Sequence, residues 1–136
     1  MAVEIDVVYQ GELRCSATHG PSGAQVSTDA PVDNHGKGES FSPTDLVATA
    51  LGGCILTILG IVAKRHEMAL EGTTIKVEKH MVADPVRRIG ALPVVVHMST
   101  AVEEKHKKLL ENAAATCPVH QSLHPDIDKP ITFVWK

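Results

Sequence analysis

Residues 42–66 read SPTDLVATALGGCILTILGIVAKRH, and the rest of the chain is arranged around them. Ser42 offers an N-cap oxygen, Pro43 stands at the first helical position where its missing N–H costs nothing, and Asp45 can close a capping box. From Leu46 to Val62 no side chain is charged, and apolar residues fall on every side rather than on one stripe. Such a helix is expected to be buried all round. In a chain of 136 residues it is the core.

Inside that run Cys54 follows Gly52 and Gly53. Free cysteine often merely packs. The glycine pair suggests more, because it lets a second chain or a ligand approach the backbone and weakens the helix locally. A helix broken there would leave Cys54 near a fresh N-terminus, whose positive end favours thiolate.

The length fits one domain, residues 1–136. A net charge of −3, with one Trp, one Tyr and two Phe, gives neither a basic surface nor stacking platforms, so nucleic acid is a poor partner. Met1 leads straight into an alternating strand without a basic or apolar leader region, so no secretory signal is expected. The apolar run has the length of a membrane span, but Thr and Gly interrupt it and a globular pattern surrounds it. No membrane association is expected. Three cysteines at 15, 54 and 117, without C-x-x-C, fit a reducing cytoplasm better than a secreted scaffold.

Val3, Ile5, Val7 and Tyr9 alternate with polar residues, as do Leu13, Cys15 and Ala17. With Ala24 to Asp29 they predict a three-stranded meander, turned at Gly11 and at His19 to Gly23. Residues 31–41 (PVDNHGKGESF) read as a loop that carries Lys37 and Glu39, either a solvated surface or a wall of a site. After the helix, a strand is predicted over Thr73 to Ala83 and its partner over Pro93 to Thr100. A second helix is predicted over Val102 to Thr116, capped by Thr100 and braced by Glu103–Lys107 and Glu104–Lys108 pairs. Cys117 precedes Pro118, so the helix should stop there and a short one restart with Cys117 at its N-cap, where unpaired N–H groups favour thiolate. Ile131, Phe133 and Trp135 mark a last strand. The order βββ-α-ββ-α-β is an α+β pattern, two helices on one face of an antiparallel sheet.

Two cysteines at unusual backbone positions suggest a redox pair. A two-cysteine peroxidase needs one thiolate to open an O–O bond and a second thiol to capture the sulfenic acid as a disulfide. Cys54 and Cys117 fill those parts if folding brings their Cα atoms within about 7 Å. A competing use is metal: Cys117, His120 and His124 would share one face of a helix that ran to Pro125. Cys15, on an alternating strand, is most simply a core residue.

The motif Ser42-Pro-Thr-Asp-Leu…Ala-Leu-Gly-Gly-Cys54, followed by Cys117-Pro-Val-His-Gln-Ser-Leu, resembles the osmotically inducible protein C / organic hydroperoxide resistance (OsmC/Ohr) family over nearly the whole chain. The resemblance implies an OsmC-like fold and an intertwined homodimer with two long central helices and active sites at the interface. It also implies reduction of organic hydroperoxides by thiols, without a metal or organic cofactor. By it Cys54 is peroxidatic and Cys117 resolving, the reverse of the ranking that the Cys-Pro N-cap alone suggests. Arg14, the one arginine before Cys54, takes the part of the family's activating arginine. Thr44 stands where the family usually has the glutamate that orients it, so that part falls to Glu39 or Asp45. Apolar surroundings of Cys54 favour fatty or aromatic hydroperoxides, and a small dithiol such as dihydrolipoamide is the expected reductant. The missing glutamate favours an alternative, a non-catalytic member that senses redox state or binds a small apolar ligand.

Overall fold

The computed structural model describes all 136 residues, in an α+β arrangement. In chain order the elements are β1 (Ile5–Gly11), β2 (Arg14–His19), β3 (Gln25–Asp29), a 3-10 turn at Val32–Asn34, α1 (Pro43–Arg65), β4 (Thr74–Val77), β5 (His80–Val82), β6 (Arg88–Ala91), β7 (Val94–His97), α2 (Glu104–Ala115), α3 (Pro118–Ser122) and β8 (Ile131–Val134). Internal contacts gather into two compact units, Met1–Leu46 and Val47–Lys136.

The first unit is the predicted meander, β1-β2-β3, antiparallel throughout. Its register sets Val7 opposite Ala17 and Arg14 opposite Asp29. The side chains at Ile5, Val7 and Tyr9 are exposed, and the buried residues of this unit are polar: Thr28, Asp29 and Ser42. The loop of residues 30–41 is stapled to β3, since Asp29 N–H donates to the Phe41 carbonyl at 3.0 Å and Ser40 Oγ to the Ser27 carbonyl at 3.1 Å. Gly36 is required in it, because a Cβ there would strike the Ala30 carbonyl.

The second unit holds the apolar core. Leu51, Ile55 and Leu59 of α1, spaced by one helical turn, pack with Leu92, Val94 and Val96 and with Leu110 and Ala114 of α2. The expectation of a helix buried all round is corrected: Ala50, Gly53, Thr57, Gly60 and Ile61 are exposed, because the elements of this unit cover one face of α1. Nor does the helix break at the glycines, so Cys54 sits mid-helix and not at a fresh N-terminus. Gly52 is where β4 of the same chain comes close, since a Cβ would lie 3.1 Å from Cγ2 of both Ile75 and Val77.

The predicted strand over Thr73 to Ala83 is two strands in different sheets. β4 pairs with β7 and β5 with β6, and the direction changes at Glu78–Lys79. β8 joins β7 in parallel, giving the order β4-β7-β8, so the sheets are not purely antiparallel. α2 begins later than predicted, with Glu103 in extended backbone at its N-cap and Thr100 outside. The ion pairs move accordingly: Glu103 meets Lys105 at 3.3 Å, and Glu104 meets Lys107, three residues on, at 3.0 Å.

Candidate active site

The start of α1 is built as its sequence demands. Ser42 Oγ accepts the Asp45 N–H at 3.1 Å, and Asp45 Oδ2 accepts the Ser42 N–H at 2.9 Å, a reciprocal capping box. Ser42 Oγ also lies 3.1 Å from Thr44 Oγ1. Asp45 is thus engaged as a helix cap.

Cys54, half-buried on α1, and Cys117, fully buried at the N-cap of α3, belong to one packed cluster and are near enough for Cys54 to act on the ionisation of Cys117. Each is there for a local reason. Cys54 falls three residues after the buried Leu51 and beside the buried Ile55, on the edge of the covered face. Cys117 ends α2 because Pro118 follows, and Pro118 starts α3 at its first position. The Cys117 sulfur accepts the His120 N–H at 3.4 Å.

The cap N–H groups of His120 and Val119 pull the Cys117 thiol toward ionisation, but burial pushes its pKa above the ordinary value of 9.0, and the Cys54 hydrogen bond and charge push the same way. The expectation of an activated Cys117 thiolate is therefore corrected, since desolvation outweighs two N–H groups. All three cysteines are free.

Arg14 lies in the first unit, on β2. Its Nη2 donates to Glu39 Oε2 at 2.8 Å and approaches Asp29 Oδ2 at 3.5 Å. The Glu39 hydrogen bond first, then the charges of Glu39 and Asp29, hold the guanidinium above its already high pKa. The fold thus joins Cys54 to Cys117, and Arg14 to Glu39, while Asp45 caps α1. Asp29 is the partner that reading the sequence missed. Its signal was there: pairing counted outward from the His19 to Gly23 turn brings the ends of β2 and β3 together, where Arg14 and Asp29 stand.

The helical face required for a metal does not form. α3 ends at Ser122, Leu123 is extended, and His124 turns to Asp126, accepting its N–H on Nδ1 at 3.0 Å. No three His, Cys, Asp or Glu side chains group as metal ligands. A groove of about 490 Å³ runs along the C-terminal half of α1, lined by Leu56, Gly60, Lys64, Met68 and Leu70, and neither Cys54 nor Cys117 lines it.

Comparison with known proteins gives a consistent result. A provisionally named osmotic stress induced and detoxification response protein from Psychrobacter arcticus is 46% identical, with 98% of this chain and 97% of that one covered and a TM-score of 0.93. The organic hydroperoxide resistance protein OsmC of Legionella pneumophila is 16% identical, with 98% and 96% covered and a TM-score of 0.78. OhrB of Bacillus subtilis is 18% identical, with 98% of each chain covered and a TM-score of 0.70. At those last two identities the likeness is one of fold. No curated protein matches the chain. The profile of the family described as OsmC-like protein matches residues 36–129, a span that holds the α1 capping box, Cys54 and Cys117, and this chain belongs to that family.

Proposed function

We propose that this protein is a cytosolic, homodimeric thiol peroxidase that reduces organic hydroperoxides, with Cys54 peroxidatic and Cys117 resolving. The observation that carries the reading is the nearness of two free thiols in one packed cluster, one half-exposed on a helix and one buried at a helix N-cap. The names of the relatives support a stress or detoxification role: osmotic stress and detoxification response for the Psychrobacter protein, organic hydroperoxide resistance for those of Legionella and Bacillus.

In this reading the Cys54 thiolate attacks the outer peroxide oxygen. An S–O bond forms, the O–O bond breaks, and the alkoxide leaves as an alcohol after taking a proton. Cys117 then attacks the sulfenic sulfur, an S–S bond forms, and the hydroxyl departs as water with the Cys117 proton. A small dithiol such as dihydrolipoamide reduces the disulfide and is itself oxidised to a disulfide. A Cys117 held neutral by burial stays out of the first step and supplies the proton of the second. Arg14 would stabilise the Cys54 thiolate and the departing alkoxide. Of the two carboxylates considered, Asp45 is taken up by the helix cap, and Glu39 is the one that meets the guanidinium, at 2.8 Å.

The test is to mix the reduced protein with cumene hydroperoxide and count thiols. The expected result is loss of Cys54 and Cys117 with Cys15 retained. Three titratable thiols after exposure overturn the reading. Thr44, hydrogen-bonded to Ser42 where the family usually has a glutamate, favours a second reading as a sensor or apolar-ligand binder. Sustained peroxide consumption with a dithiol separates catalysis from a single oxidation per chain.

A further inference from the structure

Asp29 is the one carboxylate that this chain buries, with its side chain 1% exposed. An ionised carboxylate out of water is costly unless its oxygens are paired. Here Oδ2 accepts the Glu39 N–H at 3.0 Å and has Arg14 Nη2 at 3.5 Å, while Oδ1 has no partner. Arg14 shows the complementary defect, since its Nε is buried and likewise unpartnered. One orphaned acceptor and one orphaned donor thus sit on two side chains that the β2–β3 register places directly opposite each other. Each buried orphan carries the desolvation cost of a polar group with no partner.

Both are satisfied at once if the guanidinium turns side-on to Asp29, with Nε on Oδ1 and Nη2 on Oδ2, the bidentate geometry in which arginine grips a carboxylate best. In this structure Nη2 is instead on Glu39 at 2.8 Å, from a side chain that is 57% exposed. An ion pair that open to water is weak, because solvent screens it and ordering two long side chains opposes it.

We propose that Asp29 is a positioning residue that gives Arg14 a second seat, taken up when Glu39 releases it. In that seat the guanidinium is held from behind through Nε and Nη2, and its remaining Nη1 edge is free for an anion. The role of that anion rests on the function proposed above, where it is the Cys54 thiolate or the departing alkoxide. Glu39 is then a competitor that parks the cation, and Asp29 the anchor that aims it.

The experiment has two arms. In the first, hydrogen exchange of the Arg14 Nε–H is followed by NMR in the full-length reduced protein. Glu39→Gln is expected to slow that exchange by on the order of tenfold as the proton becomes bonded, and adding Asp29→Asn to abolish the slowing. Unchanged exchange in Glu39→Gln overturns the proposal, and that variant, altered at an exposed side chain, decides the matter even if Asp29→Asn fails to fold.

In the second arm, turnover of cumene hydroperoxide with a dithiol is measured. Asp29→Asn is expected to lower kcat and kcat/KM together by on the order of 100-fold, as for a misplaced transition-state contact, whereas Glu39→Gln raises kcat/KM. A fall in Glu39→Gln equal to that in Asp29→Asn overturns the proposal. An inactive wild type would instead sink the peroxidase reading, and the exchange measurement would still judge the seat.

Discussion

Residues 47–136 bury Leu51, Ile55, Leu92, Val96 and Leu110 completely, whereas residues 1–46 bury Thr28, Asp29 and Ser42 and leave Ile5, Val7, Val8 and Tyr9 at 61–64% exposure. One unit is held by apolar packing and the other by sheet hydrogen bonds, a stapled loop and an ion-pair cluster. Three strands with an uncovered apolar face are a marginal structure in water. The difference also sorts the chemistry. Cys54 and Cys117 sit in the packed part. The cation sits in the polar part, where a charged side chain can change partners.

The comparison is sharpest at Leu51, which no water touches. Leu51→Ala is expected to cost about 2–5 kcal/mol, the range for a buried leucine, read as a lower urea midpoint at unchanged slope. Next come the adjacent glycines, identical in sequence and opposite in setting. Gly52→Ala pushes a methyl against Ile75 and Val77 at 3.1 Å and is expected to cost about 1–3 kcal/mol. Gly53→Ala meets nothing within 4 Å and is expected to gain about 1 kcal/mol from helix propensity, as far as the single chain decides. A loss at Gly53 would show a second copy pressed against that turn.

These sites also show what the sequence could and could not tell. The capping box, the meander, the Cys-Pro break between α2 and α3 and the last strand were legible because each rests on local rules: a cap spacing, a period of two, a proline. The split of Thr73 to Ala83 was not, because alternation runs through Glu78–Lys79 while the pairing changes partner, and pairing is not local. The uncovered face of α1 was hidden for a related reason: apolar residues all round a helix do not say which face the rest of its own chain covers. The pairing of Cys54 with Cys117 was suggested by their backbone positions and by the family resemblance, but their separation was not legible, because it depends on how α1 packs against α3. Nor was the burial that outweighs the N-cap at Cys117, since desolvation depends on elements far apart in sequence.

Cys117 offers a smaller effect that belongs to the packed unit alone. Its pKa is raised in the folded state, chiefly by burial, so the fold prefers the protonated thiol. The unfolded chain gives up that proton near the ordinary value of 9.0, and stability should be full below it and fall as pH rises toward the folded pKa. One proton limits the slope to about 1.4 kcal/mol per pH unit. Urea midpoints between pH 7 and 10.5, wild type against Cys117→Ala, should show the alkaline decline in the wild type and a flatter curve in the variant. A decline unaltered by Cys117→Ala would assign it to other groups.

The smallest effect is expected in the other unit, and there smallness is informative. Val7 stands opposite Ala17 in the meander and is 62% exposed, so Val7→Thr removes no packed contact and keeps a β-branched side chain. For a lone chain its cost should stay within about 0.5 kcal/mol. A homodimer that covers the sheet face changes this in a concentration-dependent way, because stability then includes the association energy. Urea midpoints should therefore agree between wild type and Val7→Thr in dilute protein and separate as concentration rises, with the variant lower and its sedimentation shifted toward monomer. Coincident midpoints at every concentration would leave the apolar face of β1 uncovered in solution, and the first unit would then owe its order to polar contacts alone.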